Sequence, residues 1–281
     1  MFSPQKAIEE LWGNRPKTAH KSQNGHVLVV GGSPEYAGAP ILASVAALES
    51  GAGMVTLAAP AKVVLAAQTF CPDIMGFPLK GDYLSGVQES ALLRIAAKAD
   101  VVLIGNGAGK KAIPLLKKLI PKLMRNNTQL VLDATAFDAL SQKGNLNNCI
   151  LLPHVGEFER WQKTKIKKMS FSARVKLLKK IIGTKKIVIN LKDWRSVIAS
   201  CHYSYINKTG NAGMGKAGMG DVLAGLTAGF WSQGMGAFSS TASAAWLNGK
   251  MSEKMKGRKW YGYIANDLLE EIKKMKNEGL K

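Results

Sequence analysis

The chain has 281 residues, 46% hydrophobic and 21% charged, with a formal net charge of +20; the first two values are ordinary for a globular protein. No run of about 18 uncharged apolar residues marks a membrane span, and the first ten residues lack the apolar core of a signal peptide. Three scattered cysteines (Cys71, Cys149, Cys201) and four histidines without an HExxH pair show no metal or redox spacing, which leaves a reduced, cytoplasmic α/β protein as the expectation.

In chain order, residues 26–32 are predicted as a strand ending in Gly31-Gly32, and 39–50 as a small-residue helix stopped by Gly51-Ala-Gly53. A strand over 54–59 and a helix over 61–69 follow. Residues 71–86 look loop-rich. Helix 91–98, strand 101–104, helix 113–124, strand 129–133 and helix 135–140 come next. A short strand at 150–152 precedes Pro153-His-Val-Gly-Glu157. A basic helix then leads to strands at 187–191, 196–200 and 203–207, and helices at 221–233, 238–255 and 264–275 close the chain. Repeated strand–helix units predict a mostly parallel central sheet with helices on both faces, here expected as one domain over residues 1–281 with 1–20 as an N-terminal extension.

From Arg160 to Lys192 there are twelve Lys or Arg and no acid. Arg174, Lys176, Lys179 and Lys180 alternate with apolar residues, as in an amphipathic helix with a basic outer face. Solvated surface charge is the plain reading, and attraction to nucleotides or nucleic acid the sharper one. Few aromatics are interleaved, so stacking on single strands is poorly supported.

Glycine clusters follow strands three times: Gly31-Gly32, Gly105-Asn-Gly-Ala-Gly109, and five glycines between Gly210 and Gly220. Ligands of open α/β sheets bind outside the carboxyl ends of the strands, so the three clusters are expected to share one cleft. The last is the most informative. It feeds an apolar helix placed from Asp221 onward, and a helix N-terminus after a glycine turn attracts anions. Backbone N–H groups of Gly218, Met219 and Gly220 are expected to form the anion hole, with Asp221 beside them as a base. That is apparatus for phosphoryl transfer to a hydroxyl. Gly210-Asn-Ala-Gly-Met-Gly-Lys-Ala217 nearly matches a P-loop, but Ala217 has no hydroxyl for magnesium. Gly105-Asn-Gly107 lacks the third glycine of a dinucleotide fingerprint, because Lys110 stands there.

The spaced set of motifs carries a resemblance. His20-Lys21, Gly25-His-Val-Leu-Val-Val-Gly-Gly-Ser33, Gly38 through Gly53, Gly105 through Gly109, Leu132-Asp133-Ala134, Pro153 through Glu157, Asn207 through Met214 and Gly218-Met-Gly-Asp-Val-Leu223 resemble the NAD(P)H-hydrate dehydratase family, in that family's order, over residues 18–250. The resemblance implies a ribokinase-like fold. It implies removal of water from hydrated NADH or NADPH at the expense of ADP (bacterial members) or ATP (eukaryotic ones), assisted by Mg2+. It places the hydrate on Ala39, Gly107, His154 and Asp221, and the nucleotide on Lys192, Asp193, Trp194, Arg195, Ser196 and Gly220. Glu157 is the candidate metal residue, through water, or else a charge partner for a helix N-terminus. A homo-oligomer is expected, with small-molecule partners only. Larger relatives fuse an N-terminal epimerase domain; only about 20 residues precede the match here, so a stand-alone dehydratase is expected.

Chemistry agrees with these roles. Hydroxide leaves poorly and phosphate leaves well, so phosphorylating the ring hydroxyl drives dehydration, with Asp221 as general base. Three departures stand out: Lys192-Asp-Trp-Arg-Ser196 replaces the usual Lys-Gly-Ala-x-Thr, Val155 replaces a proline, and Lys216 and Met219 replace small or hydroxyl residues. Asp193 would bring negative charge to the nucleotide, with Arg195 to offset it. A vitamin-precursor kinase of the same fold is the alternative, and a basic nucleic-acid-binding protein a more distant one.

Overall fold

A computed structural model describes residues 2–142, 144 and 146–280. The helices are α1 (Pro4–Gly13), α2 (Gly38–Glu49), α3 (Ala61–Phe70), α4 (Glu89–Ala96), α5 (Ile113–Arg125), α6 (Val155–Gln162), α7 (Phe171–Ile182), α8 (Met219–Ser232), α9 (Ala237–Lys259) and α10 (Ala265–Glu278). The strands are β1 (His26–Val30), β2 (Met54–Pro60), β3 (Met75–Leu79), β4 (Val101–Ile104), β5 (Gln129–Leu132), β6 (Cys149–Leu151), β7 (Ile187–Leu191), β8 (Val197–Ala199) and β9 (Ser204–Ile206).

Among the described residues these strands form one sheet in the order β3-β2-β1-β4-β5-β6-β7-β8-β9. Pairing is parallel from β3 through β7 and antiparallel for β8 and β9. The order reverses between β1 and β4, and a crevice opens at the carboxyl ends of the strands at such a switch point. Side chains alternate along each strand. Val27, Val29, Val101 and Leu103 enter the core under α2, α8 and α9, whereas Leu28, Val30, Val102 and Ile104 enter the opposite core under α4, α5 and α7. Strands buried on both faces explain why the apolar runs are continuous rather than alternating.

Helix α2 is rich in alanine because α8 lies against it. A Cβ on Gly225 would stand 2.1 Å from the Ala43 carbonyl oxygen. This contact anchors α8 over the switch point and fixes where its N-terminus ends up. Helix α1, assigned by the sequence to an extension, packs against α9 and buries Ile8 completely.

The structure alters several boundaries. The loop-rich stretch contains edge strand β3, whose Pro78 is tolerated because an edge strand can leave an N–H unpaired. Residues 134–139 form a 3-10 turn rather than an α-helix. Helix α6 begins directly after His154. Helix α8 starts at Met219, two residues before the expected Asp221. Gly218, with φ of +88°, is the residue that caps it.

Candidate active site

The polar residues of the crevice come from the ends of β4, β5, β6 and β7 and from the first turn of α8. An α-helix leaves its first N–H groups without intrahelical partners; in α8 these belong to Met219, Gly220 and Asp221. The N–H groups free to meet an anion therefore lie one residue further along than expected, with Gly218 supplying the turn. Gly220 lies beside Lys192: a Cβ there would be in ordinary contact with Lys192 Nζ at 3.6 Å. Met219 is buried and packs into the hydrophobic core under the helix.

Asp221, at the third position of α8, accepts a hydrogen bond from Asn106 Nδ2 at 2.6 Å. The same nitrogen donates to Asp133 Oδ2 at 3.1 Å, and Lys192 Nζ donates to Asp133 Oδ1 at 2.5 Å. Burial raises the Asp221 carboxyl to about 6; the Asn106 hydrogen bond opposes this and the Asp133 charge adds to it. Burial alone would lower Lys192, but Asp133 and Glu157 outweigh it and hold the ammonium above its usual value.

His154 caps α6. Its Nδ1 accepts from the N–H groups of Gly156 and Glu157 at 2.9 and 3.2 Å, which puts the ring proton on Nε2. Burial and the cations Lys192 and Arg160 lower its pKa, so the ring is neutral near pH 7. Glu157 returns the cap, accepting from the His154 N–H at 2.8 Å, and burial pushes its carboxyl up to about 7. It thus completes the reciprocal cap of α6. The main chains of β6 and β7 join here, with Lys192 N–H donating to Pro153 carbonyl at 2.8 Å. Ala39 and Gly107 meet on the far side, where a Cβ on Gly107 would lie 3.2 Å from that of Ala39 and 2.3 Å from the Tyr36 carbonyl oxygen.

Lys192 through Ser196, Met219 and Gly220 line a cavity of about 650 Å³ together with the loop from Asn207 to Gly215, a volume suited to a nucleotide. That loop is strapped down rather than flexible. Asn207 Nδ2 donates to the Ala245 carbonyl at 3.0 Å, Thr209 Oγ1 to the Trp246 carbonyl at 3.0 Å, and Asn211 Nδ2 to the Ser252 carbonyl at 2.8 Å. Lys216 is drawn away from the cavity: it donates to the Tyr263 carbonyl at 2.9 Å and to that of Tyr261.

Two expectations about charge need correction. Asp193 is neutralised by Arg174, whose Nη1 donates to Asp193 Oδ2 at 2.6 Å. Arg195 instead stacks on Trp194, 4.6 Å from the ring centre. Arg174 therefore does not belong to the solvated face of α7. It is 5% exposed and points inward, whereas Lys176, Lys179 and Lys180 are exposed as expected. Sequence reasoning also missed the parts played by Asn106 and Asp133. Both sat inside recognised motifs, but only the fold brings them together.

The family model described as NAD(P)H-hydrate dehydratase matches residues 27–274. The chain belongs to the NAD(P)H-hydrate dehydratase family. It is 34% identical over 275 residues to a bifunctional NAD(P)H-hydrate repair enzyme of Methanothermobacter thermautotrophicus, covering 95% of this chain and 52% of the relative. It thus spans about half the length of that relative. It is 32% identical to the ADP-dependent (S)-NAD(P)H-hydrate dehydratase of Nitrosopumilus maritimus, covering 94% of this chain and 93% of the relative. A ribokinase-like superfamily protein from Enterococcus faecalis superposes with a TM-score of 0.84 at 26% identity, over 99% of this chain and 95% of the other. The Bacillus subtilis ADP/ATP-dependent NAD(P)H-hydrate dehydratase, co-crystallised with ATP/Mg2+, superposes with a TM-score of 0.77 at 22% identity, over 96% and 97% of the two chains. The fold is ribokinase-like.

Proposed function

We propose that this protein dehydrates hydrated NADH or NADPH at the expense of a nucleoside phosphate. One observation carries the reading: a partly buried carboxylate, Asp221, stands at a helix N-terminus whose first residues also line the cavity formed by Lys192 to Ser196. Base, anion site and nucleotide cavity then share one loop. The name of the Nitrosopumilus relative favours ADP as donor, and family membership favours dehydration over the small-molecule kinase reading.

In this reading Asp221 takes the proton of the ring hydroxyl. The hydroxyl oxygen bonds to the terminal phosphorus as the bond from that phosphorus to the nucleotide's bridging oxygen breaks. The N–H groups of Met219, Gly220 and Asp221 hold the developing charge. The phosphate then leaves with the electron pair of the carbon–oxygen bond, pushed by the ring nitrogen, and loss of a proton from the neighbouring carbon restores the reduced ring. Asp221, with its carboxyl near 6, is ionised at pH 7 and basic enough to serve. Ala39, Gly107 and His154 bind the hydrate, with Nε2–H of His154 as a donor. Lys192 through Ser196 and Gly220 bind the nucleotide.

Mg2+ fits in a limited way. Among the described residues no three metal-binding side chains converge, which suits an ion held mainly by phosphates and water. Glu157, raised by burial to about 7, is the residue to hold it through water. When bound, the ion would neutralise phosphate charge. Diffusible substrates of this kind fit the cytoplasmic location expected from the sequence.

The test is recovery of reduced-nicotinamide absorbance on mixing hydrated NADH with enzyme, magnesium and ADP or ATP. A nucleotide at about 100 times its Kd should also stabilise the fold by roughly 2.7 kcal/mol, on the order of 5–10 °C in Tm. No recovery with either nucleotide overturns the reading.

A further inference from the structure

We propose that Asn106 is the positioning residue of this site: it keeps the Asp221 carboxylate aimed and available as a base, and takes its own orientation from Asp133. The proposal rests on the reading of Asp221 as base. Asn106 is fully buried just past β4, where the sheet order reverses. Its backbone is fixed by the Gly32 N–H, which donates to its carbonyl at 2.9 Å.

A primary amide nitrogen carries two hydrogens. In Asn106 it faces a carboxylate on each side, Asp133 Oδ2 at 3.1 Å and Asp221 Oδ1 at 2.6 Å. Turning the amide over would set its oxygen against two carboxylate oxygens, so charge decides the orientation. The cost is visible in the same group: Asn106 Oδ1 is buried with no partner among the described residues. A side chain placed only for packing would not leave a buried acceptor unpaired.

Asp133 is anchored in turn. It is 2% exposed and its second oxygen takes Lys192 Nζ at 2.5 Å. The residue after it, Ala134, has φ of +48°, a left-handed conformation that residues with a Cβ rarely adopt. Lys192, Asp133, Asn106 and Asp221 thus form one chain with every link at 3.1 Å or less. The groups that act on Asp221 are Asn106, Asp133 and Lys192. Two carboxylates this close repel each other; the amide between them and the ammonium beyond oppose that repulsion at Asp221. Without the amide, a proton would settle on Asp221 and the base would be lost.

The test compares Asn106→Ala with Asn106→Ser, which retains one donor, in the full chain. Carbon-13 NMR of the aspartate carboxyls, with Asp221→Asn to assign the resonance, follows the Asp221 titration without substrate. In Asn106→Ala that titration should move upward by about half a pH unit or more. The acid limb of the kcat profile should move with it, and kcat should fall about tenfold to a hundredfold. ADP affinity by calorimetry should stay within about threefold, since the amide does not line the nucleotide cavity. Asn106→Ser should lie between wild type and Asn106→Ala, and decides alone if the alanine variant does not fold. An unshifted Asp221 titration in a folded variant, or a fall in kcat with an unmoved acid limb, overturns the proposal. Failure of the dehydratase reading would show differently: the wild type would give no nucleotide-dependent recovery of absorbance, while the carboxyl titration would still report on Asn106.

Discussion

Two charged regions of this molecule behave in opposite ways. The outer face of α7 concentrates cations, and Lys176, Lys179 and Lys180 all point into solvent. The crevice holds few charges, yet Asp133, Glu157, Asp221 and Lys192 act on one another there and three of them are raised above their usual ionisation. Charge in water is screened and cheap; charge out of water must be partnered, and its pKa records how well. The net charge of +20 is therefore a poor guide to where the chemistry is. Arg174 marks the border between the regions. It lies on the basic helix but is buried, and it neutralises Asp193 in the segment from Lys192 to Ser196.

The largest effect expected from breaking the buried region is on turnover. Asp221→Asn keeps the shape and can still accept from Asn106, but has no basicity. The dehydration rate should fall by about 10² or more, while nucleotide binding by calorimetry changes little. A near-normal rate would remove Asp221 from the role of base. Next in size is the border ion pair. Asp193→Ala leaves the buried Arg174 guanidinium uncompensated and should cost about 3 kcal/mol in denaturant unfolding. Arg174→Met leaves Asp193 behind, but that side chain is 26% exposed and can hydrate, so about 1 kcal/mol is expected. Equal costs would show that burial does not distinguish the partners.

A smaller effect, with a definite sign, comes from Glu157. Its folded carboxyl titrates at about 7 instead of 4.5, so the folded state holds the proton to higher pH than the unfolded state. Its favourable contribution is complete below 4.5 and is lost as pH rises through 7. Glu157→Gln keeps the acceptor for the His154 N–H and removes the charge. Relative to wild type it should gain stability progressively between pH 4.5 and 7, reaching on the order of 2 kcal/mol, and stay level above. Melting curves across that range check it, and a flat difference would mean that Glu157 is better solvated than its burial implies.

Much of the frame could be read from the chain because buried parallel strands are written as apolar runs, such as Val101-Val-Leu-Ile104, bounded by glycine. Edge strand β3 could not, because Gly76 and Pro78 interrupt its pattern and its stability comes from pairing with β2. Helix α6 was hidden because a histidine, rather than serine or aspartate, caps it. Placing the start of α8 at Asp221 kept both Gly218 and Gly220 out of the helix. The structure keeps only Gly218 out, and Gly220 is the second residue of the helix. In the candidate site, Gly218 to Asp221 stood out by spacing and Lys192 to Ser196 by resemblance to the family. Links between loops were not. Asn106 meets Asp221 across 115 positions and Arg174 meets Asp193 across 19, and neither separation matches a local period that periodicity could detect.

The smallest expected effect lies on the outer face and sharpens the contrast from the other side. Replacing Lys176, Lys179 and Lys180 with Gln removes three positive charges but leaves Leu178 and Ile182 buried and the Arg174–Asp193 pair untouched. Exposed substitutions of this kind shift stability by less than about 0.5 kcal/mol each. Dehydratase activity should stay within a few-fold, with a modest loss confined to low salt, because at about 150 mM the Debye length of about 8 Å screens a surface charge from an incoming anion. If this face instead binds a polyanion, the wild type should hold mixed DNA or RNA with sub-micromolar affinity at that salt and the triple variant should not. Such binding depends steeply on the number of phosphates neutralised, so losing three cations would weaken it several-fold or more. That outcome would give the outer face a function of its own. Equal, weak binding by both proteins would leave it as solvated surface, apart from a site built from four charges that are buried or partly buried.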